Sequence, residues 1–502
     1  MSYSFDAFRE AIGGDWYADD ALLADLVARH ASLEVSERRG LERFGAEVAG
    51  PLATLAETSA RPENAPRLRA FDAWHRRVDE IELPASTRAA LAVVAGRERL
   101  GALHGDPFAF YARTYLAHQN GEAGVACSLA CTDGLTRLLA ALGDRDEHRD
   151  ALAAMRASSG ERVVHAAQFV TEIQGGSDVG ANAVEALPDG GAFRLHGAKW
   201  FCSNVNADWF LVSARPRGAP AGSKGVAIFL VPAYARDGEP RRNGDDARRN
   251  GYAIDRLKDK LGTRELATAE VTFAGALGWP IGPLDRGLPN LVDHVLATSR
   301  IACVLYAAAT LRQCERIVGA YARFRTAFGR PIGDYALVRG TLDDLGLARE
   351  RALAVAFELV RLWPAKDGSA EAADFRVLLS LAKPVITRRA SELAHDAMLL
   401  LGANGIEERF SPLPRLYRDA AVMETWEGPH NVLFAQALRD LVRLRVDPEA
   451  FAARVSGRSN DPLAATVQRL LDASGREADA MPGMPALAAA VVDALGDRVL
   501  QR

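Results

Sequence analysis

The stretch QFVTEIQGGSD, residues 168–178, lies where the residue pattern of the chain changes from helical to strand-like. Two adjacent glycines let a flat ligand approach the backbone, and the hydroxyls beside them can bond ring heteroatoms or phosphate oxygens. The same residues are also typical of a turn in which Ser177 and Asp178 bond their own backbone. Both interpretations are open on this stretch alone.

The region before this stretch has a helical pattern. From Asp19 to about Ala157 apolar residues recur mostly three or four positions apart, with breaks at proline and glycine. The pattern predicts an N-terminal helical domain over residues 1–162.

The region after Arg162 has the pattern of strands. Short runs rich in β-branched and aromatic residues alternate with turn formers such as residues 188–191. We expect a middle domain over residues 163–280, a small sheet or barrel of six to eight strands. Residues 235–251 carry both charge signs and three glycines, which predicts a solvated loop between strands.

Long helical periods return after Gly287. They predict a C-terminal four-helix bundle over residues 281–444 and a tail of two helices over residues 445–502. The fold class is therefore α+β. The predicted bundle helices cover residues 288–324, 337–363, 370–401 and 431–444.

Composition sets outer limits on function. The chain has 502 residues, 25% of them charged and 49% apolar, and a net charge of −4, so nothing in the bulk charge requires a polyanionic partner. The five cysteines are odd in number and lie in apolar segments, which argues against a disulfide framework. No basic region precedes an apolar run at the N-terminus, and we expect a cytoplasmic protein that does not cross a membrane.

The common motifs of nucleotide-binding proteins, hydrolases and metal sites do not indicate a function for this chain. No glycine-rich dinucleotide or P-loop motif is present, and Val179 replaces the last glycine of a hydrolase elbow. Cys127 and Cys131 are one helical turn apart, but without a second ligand pair they are better explained as buried thiols. We predict no metal site.

Two further segments carry candidate chemistry. In residues 199–204, KWFCSN, the aromatics could stack on a planar cofactor, although core packing is the favoured interpretation. In residues 421–431, AVMETWEGPHN, Glu427 lies beside Trp426 before a helix. Partial burial would raise the pKa of its carboxyl toward the value that a general base needs. The alternative interpretation is a carboxylate at the start of a helix that interacts favourably with the helix dipole.

Together these segments resemble the acyl-CoA dehydrogenase flavoprotein superfamily. The resemblance rests on TExxGGSD at 171–178, RTAFG at 325–329, GANG at 402–405 and WEG at 426–428, and it covers about residues 71–443. Within the superfamily the chain is most similar to the AidB-type branch, through motifs such as RLKDKLG at 256–262 and LPRLYR at 413–418.

The resemblance implies FAD as cofactor and a set of residues that hold it. Contacts to the flavin ring and ribityl region are expected from Val170, Thr171, Gly176, Ser177, Phe201 and Ser203. Contacts to the pyrophosphate and adenine side of a neighbouring subunit's FAD are expected from Arg325 and Phe328, with close backbone approach at Gly402 and Gly405. A shared cofactor implies an oligomer, a tetramer in most of the superfamily.

The resemblance also implies a reaction. Glu427 matches the catalytic base, which removes the α-proton of an acyl-CoA or related acyl thioester while hydride passes from the β-carbon to flavin N5. The backbone N–H of Glu427 would hydrogen-bond the thioester carbonyl. The implied electron acceptor is electron-transfer flavoprotein or oxygen.

Several positions depart from the common family pattern and leave alternatives open. Ala297 stands where typical dehydrogenases have Asp, and the other departures are Gln168, Ala336, Leu399, Ala403 and Pro429. These motivate a second hypothesis, a flavin oxidase or desaturase of specialised metabolism that acts on a non-CoA substrate. A third hypothesis is a DNA-associated alkylation-response flavoprotein with little turnover. Residues 440–502 count against it, since eight Arg and no Lys face nine acidic residues, so nucleic acid is not an expected partner.

Overall fold

The computed structural model describes residues 3–30, 35–236, 239–241, 248–363 and 368–501. They form two compact units that interleave along the chain. The first unit comprises Met1–Ala53, Asp106–Gly121 and Arg300–Arg502, and the second unit comprises Thr54–Gly105 and Glu122–Ser299. The predicted domain ranges stay a prediction.

The α-helices in the described residues are α1 (Asp6–Ile12), α2 (Ala21–His30), α3 (Val35–Ala49), α4 (Pro51–Ser59), α5 (Ala85–Leu91), α6 (Pro107–His118), α7 (Ala126–Leu142), α8 (Asp146–Arg156), α9 (Gly287–Asn290), α10 (Ala297–Phe324), α11 (Ala336–Leu362), α12 (Ala370–Leu400), α13 (Leu413–Met423), α14 (His430–Arg443), α15 (Pro448–Ser456), α16 (Pro462–Ala473), α17 (Glu477–Ala480) and α18 (Met484–Leu500). The strands are β1 (Arg67–Phe71), β2 (Arg77–Glu82), β3 (Ala166–Phe169), β4 (Glu185–Asp189), β5 (Ala192–Ser203), β6 (Trp209–Pro216), β7 (Ala227–Pro232), β8 (Tyr234–Arg236), β9 (Glu239–Arg241), β10 (Arg248–Arg249), β11 (Tyr252–Leu257), β12 (Thr268–Pro280), β13 (Thr326–Ala327) and β14 (Arg330–Pro331). Short 3-10 and π helices lie at Pro62–Asn64, Ala92–Arg97, Leu100–Gly105, Val179–Ala181, Ser223–Gly225, Leu291–Leu296, Ile332–Asp334, Gly402–Gly405 and Met481–Gly483.

The main sheet of the second unit has seven strands and closes on itself. Strand β5 pairs with β4 and β12, β12 with β7, β7 with β6, and β6 with β4, which completes a ring. Strand β3 adds in parallel to β6, and β11 adds in antiparallel to β12. The expected small sheet or barrel of six to eight strands is confirmed.

The barrel is held by burial on both faces. All six residues of β7 are buried, and the fully buried Phe169, Phe210 and Phe229 belong to one inner cluster. A second cluster packs the sheet residues Leu211 and Leu230 against apolar residues of α7 and α8. Each such side chain removed from water contributes roughly 1.5–3 kcal/mol, so burial on both faces stabilises the barrel.

The long helices α10, α11, α12 and α14 build the helical domain of the first unit. Helix α12 packs against α11, α13, α14 and α18, and its first turn is capped by Ser369, whose Oγ accepts from the Ala372 N–H at 3.0 Å. The observed ends of α11, α12 and α14 differ from the predicted ends by at most one residue.

Several expectations need correction. The N-terminal region is not purely helical, because β1 and β2 form an antiparallel hairpin from a charged pattern that alternates with period two. The sequence places no helix between residues 401 and 431, but α13 lies there at Leu413–Met423. The tail contains α15 to α18 rather than two helices, since Asp447 and Asp461 cap new helices and Gly457 ends one in a left-handed conformation.

The loop predicted at residues 235–251 also differs. Strands β8, β9 and β10 form a small antiparallel sheet there, while positions 237–238 and 242–247 lie outside the described residues. The expectation that the protein does not cross a membrane stays a prediction. Two helical stretches, Gly287–Phe324 and Glu477–Leu500, have sufficient length and apolar composition, although the first lies almost wholly inside the protein and such criteria also admit core helices.

Candidate active site

Glu427 lies in the first unit on the turn between α13 and α14. Its φ is 55° and that of Gly428 is 108°, so a non-glycine residue adopts the left-handed conformation immediately before a glycine that does so. Such a conformation costs free energy and persists only where the surroundings hold it. No side-chain hydrogen bond caps α14, whose N-cap residue is Pro429.

Two buried cations hold this turn by its carbonyl groups. Arg300 of α10 donates from Nε to the Glu427 carbonyl at 3.0 Å. Lys383 of α12 donates from Nζ to the carbonyls of Glu424 at 2.8 Å and of Gly428 at 3.0 Å. Three carbonyls within five residues are therefore fixed by side chains from two different helices.

The electrostatics of Glu427 suit a general base. Burial raises the pKa of the Glu427 carboxyl, and the nearby charges of Arg300 and Lys383 act in the opposite direction. Burial lowers the pKa of Lys383 to about 8 and also lowers the pKa of Arg300. A carboxyl with a raised pKa accepts a proton from a weak carbon acid more readily than an ordinary surface glutamate.

Glu424, three residues earlier, has different surroundings. Its carboxylate accepts a hydrogen bond from the Ser391 hydroxyl, pairs with Arg388 Nε at 3.1 Å and lies 3.6 Å from His430 Nε2. These partners occupy its oxygens. Glu427, whose carboxyl pKa is raised by burial, is the candidate base on this turn.

The glycine-bearing stretch of the second unit forms a supported edge of the barrel. The Thr171 carbonyl accepts from the Trp200 N–H at 2.9 Å, which joins this stretch to β5. Gly176 packs so closely that an added Cβ would lie 2.8 Å from Thr171 Oγ1. Gly176 and Ser177 are exposed and Thr171 is partly exposed, so backbone and hydroxyl groups here are accessible to a ligand.

A buried ion pair anchors this edge. Lys199 Nζ donates to Glu172 Oε1 at 2.7 Å, to the Val170 carbonyl at 3.1 Å and to Ser213 Oγ at 3.1 Å. Glu172 also accepts from the N–H groups of Ala183 and Val184 at 2.7 and 3.2 Å. Burial disfavours both charges, but the Lys199 ammonium and these hydrogen bonds hold the pKa of Glu172 below its usual value.

The second predicted segment lies on β5 and is not wholly core. Trp200 is 36% exposed, with Lys258 Nζ 3.6 Å from its ring centroid. Phe201 and Ser203 are partly exposed, and Ser203 Oγ lies 3.2 Å from Thr268 Oγ1. The favoured core interpretation is therefore too simple for these residues.

The four other predicted positions meet at the far end of α10. Arg325 and Phe328 belong to the β13–β14 hairpin, whose turn residues Phe328 and Gly329 both have positive φ. The Arg325 N–H bonds the Tyr321 carbonyl at 2.7 Å, and Asn404 of the GANG segment donates to the Tyr321 hydroxyl at 3.1 Å. Phe328 is 98% exposed.

The two glycines of that segment differ. Gly405 is buried, and an added Cβ would lie 1.9 Å from the Met398 carbonyl oxygen, so only glycine fits there. Gly402 is exposed with a φ of 61° and open space around it. Arg325 directly follows the end of α10 and is 25 residues from Arg300, about 37 Å at 1.5 Å per residue. This end is therefore remote from the Glu427 turn of the same chain.

The residues at the barrel edge fit a flat, hydrogen-bonding ring system. The accessible hydroxyls of Thr171, Ser177 and Ser203, the close backbone at Gly176 and the partly exposed ring of Phe201 supply polar contacts and a stacking surface. In the part of the chain that the structure describes, no group of three or more His, Cys, Asp or Glu side chains could hold a metal ion.

Three family descriptions match the chain in order. Residues 9–155 match the adaptive response protein AidB N-terminal domain, residues 167–276 the acyl-CoA dehydrogenase middle domain, and residues 285–442 the acyl-CoA dehydrogenase C-terminal domain. AidB of Escherichia coli (strain K12), a candidate acyl-CoA dehydrogenase, is 33% identical over 399 residues, which covers 75% of this chain and 69% of AidB. The chain therefore belongs to the acyl-CoA dehydrogenase family.

Within that family the chain falls in the AidB-type branch, as the N-terminal match and the identity to AidB show. Acyl-CoA dehydrogenase family member 11 of Caenorhabditis elegans is 29% identical and covers 84% of this chain and 70% of the relative. The Bd2924 apo-form structure superposes with a TM-score of 0.87 at 27% identity over 97% of both chains. Members of the family are FAD-dependent, so this chain is an FAD oxidoreductase that acts on CH–CH groups.

The sequence does not reveal the groups that support the candidate site. Its motifs indicate Glu427 and the flavin contacts but assign no role to Lys383, Lys199 or Glu172. A lysine inside an apolar helical stretch, next to Pro384, is a detectable signal, because a lone buried ammonium requires partners. Its partners on the turn could not be read from the sequence, since they lie more than 40 positions away.

Proposed function

We propose that the protein is an FAD-dependent dehydrogenase that introduces an α,β double bond into an acyl-CoA or related acyl thioester, with Glu427 as the base. The observation that carries the proposal is the Glu427 turn. Burial raises the pKa of its carboxyl, and Arg300 and Lys383 fix the backbone on which it stands. A fixed base in a partly dry site is what removal of a weakly acidic α-proton requires.

The protein's own groups do the positioning. Glu427 takes the α-proton, and its backbone N–H is the proposed donor to the thioester carbonyl, which stabilises enolate charge as it forms. Bound FAD supplies the oxidising equivalent by accepting hydride from the β-carbon. The proposed FAD contacts are Val170, Thr171, Gly176, Ser177, Phe201, Ser203, Arg325, Phe328, Gly402 and Gly405.

The experiment is turnover of a panel of acyl-CoAs with a dye as electron acceptor. The panel contains straight, branched and aromatic chains, and it includes an eleven-carbon acyl-CoA because C11-CoA was found bound to the Caenorhabditis elegans relative ACDH-11. We expect a trans-2-enoyl thioester from at least one substrate with wild-type protein and none with Glu427→Gln. Equal product from both proteins would refute Glu427 as the base.

A flavin oxidase of specialised metabolism is the second candidate. Ala297, buried at the start of α10, supports it by replacing the family's usual acidic residue. The prolyl acyl carrier protein oxidase AnaB shares the fold at a TM-score of 0.62 and 18% identity, which shows only that the fold hosts such chemistry. Oxygen consumption without another acceptor would favour this candidate, and dependence on electron-transfer flavoprotein would exclude it.

We also propose a homotetramer in the cytoplasm without a nucleic-acid partner. Exposed apolar side chains lie near the β13–β14 hairpin, Phe328 at 98% and Leu337 at 89% exposure. The separation of about 37 Å along α10 supports a cofactor shared between subunits. Several arginines of residues 440–502 are already paired with carboxylates, namely Arg443 with Asp440, Arg454 with Asp374, Arg476 with Asp479 and Arg498 with Glu358. Light scattering tests the tetramer, and a salt-titrated duplex binding assay tests the absence of DNA affinity.

A further inference from the structure

Lys383 occupies an unusual place for a lysine. Lys383 lies on α12 and its side chain is fully buried, at 0% exposure. The hydrogen bonds that the structure shows for its Nζ go to backbone carbonyls and not to a carboxylate. These carbonyls belong to Glu424 and Gly428, which bracket Glu427. A buried ammonium is costly unless its hydrogen bonds are satisfied, so this arrangement needs a structural or functional reason.

The first of these carbonyls belongs to the end of a helix. Glu424 is the residue that follows the last turn of α13, where carbonyl groups lack partners within the helix and the helix dipole is negative. Lys383 supplies both a donor and a positive charge at this point from a neighbouring helix. The second carbonyl, on Gly428, lies beyond the left-handed Glu427, so one ammonium ties together the two ends of the turn.

We infer that Lys383 is a positioning residue that fixes the turn from Glu424 to Gly428 and so sets the place of the Glu427 carboxylate. The inference rests on the proposed function, since it assigns Lys383 to the same site. Arg300 holds the carbonyl of Glu427 itself, and the two cations share the task from opposite helices. Loss of Lys383 frees two carbonyls and releases the strained φ of Glu427.

Lys383 also acts on Glu427 through its charge. Its positive charge lowers the pKa of Glu427, against the larger effect of burial. The titratable and charged groups around Lys383 are Arg300 and Cys303 from α10, Glu424 from the end of α13, Glu427 from the turn and His430 from α14. Removal of the Lys383 charge therefore displaces the protonation of Glu427 toward higher pH.

The test compares Lys383→Met, Lys383→Gln and Lys383→Arg with the matched control Lys224→Met, which removes a lysine charge at an exposed position of the second unit. The holoenzyme is assayed for kcat/KM against pH with the best acyl-CoA of the panel. We expect the acid limb to move to higher pH in the Met and Gln variants, with about tenfold lower activity on the acid side for each pH unit of displacement. Lys383→Arg keeps the acid limb near wild type, and Lys224→Met is unchanged.

A substrate-free measurement separates this inference from the proposed function. Infrared titration of the protonated carboxyl band, with Glu427→Gln as the reference, reports Glu427 directly in each variant. We expect the band to persist to higher pH in Lys383→Met even if no acyl-CoA is turned over. If Lys383→Met does not fold, Lys383→Gln and Lys383→Arg decide by the same two measurements. Unchanged pH profiles and carboxyl titrations, with only a lower melting temperature, would overturn the inference.

Discussion

Replacement of Lys199 by Met should weaken the second unit strongly. Lys199 is fully buried and donates three hydrogen bonds, to Glu172, Ser213 and the Val170 carbonyl. Methionine keeps much of the volume but leaves the buried Glu172 carboxylate without its cation. Removal of one partner of a buried ion pair is costly because the other charge stays in a medium that solvates it poorly.

The size of the effect follows from general values. Breaking a buried pair costs about 3–5 kcal/mol. The second unit has roughly 230 residues, and at about 2.1 cal/mol/K per residue its unfolding entropy is about 0.48 kcal/mol/K. The melting temperature of the transition that involves this unit should therefore fall by about 6–10 °C.

Differential scanning calorimetry of the holoprotein measures this shift, and flavin fluorescence measures FAD release. We expect weaker FAD retention as well, because Lys199 holds the carbonyl of Val170 beside Thr171. The double variant Lys199→Met/Glu172→Gln removes both charges and should recover much of the loss. A shift below about 1 °C in Lys199→Met, or a double variant less stable than the sum of the two single effects, would show that the ion pair does not stabilise this unit.

Three further results are expected. Gly405→Ala should lower the melting temperature by several degrees, because the added Cβ would lie 1.9 Å from the Met398 carbonyl oxygen. Gly402→Ala should lower it less, because the added Cβ meets open space and only the positive φ of this position is unfavourable. Equal melting temperatures of the two variants in calorimetry would contradict this packing. Phe328→Ala should leave the melting of the first unit unchanged, since the ring is 98% exposed, but shift the oligomer toward smaller species in light scattering. The free energy of unfolding of wild type relative to Lys383→Met should rise from about pH 8 to pH 10. Burial lowers the pKa of Lys383 to about 8, whereas the unfolded chain has a pKa near 10.5 there and so binds more protons than the folded chain in this range. A pH-independent difference between the two free energies in urea unfolding would contradict this prediction.

Long-period features of the fold were predictable from the sequence. Helices α11, α12 and α14 were each placed within one residue, because many turns of amphipathic spacing end at clear glycine or proline breaks. The β1–β2 hairpin was not, because its alternation is built largely from charged residues that hide the strand pattern. The sequence predicts two tail helices where the structure has four, although Asp447, Pro448, Gly457 and Asp461 mark the ends of α15 and the start of α16.

The candidate site was predictable only in part. Motif residues such as Glu427 and Ser177 belong to short local patterns that a single sequence displays. The groups that hold them, Lys383 for the turn and Lys199 for the barrel edge, act over 41 and 27 positions in the chain. Such contacts depend on how helices and strands pack, and no spacing rule encodes them.

The role of Glu427 as the base is measured by anaerobic titration of purified holoprotein with the best acyl-CoA of the panel, followed by the visible spectrum of the flavin. We expect loss of the oxidised flavin absorbance with wild-type protein and with Lys224→Met, and an unchanged spectrum with Glu427→Gln at equal FAD content. Bleaching of the Glu427→Gln protein at the wild-type rate would contradict it.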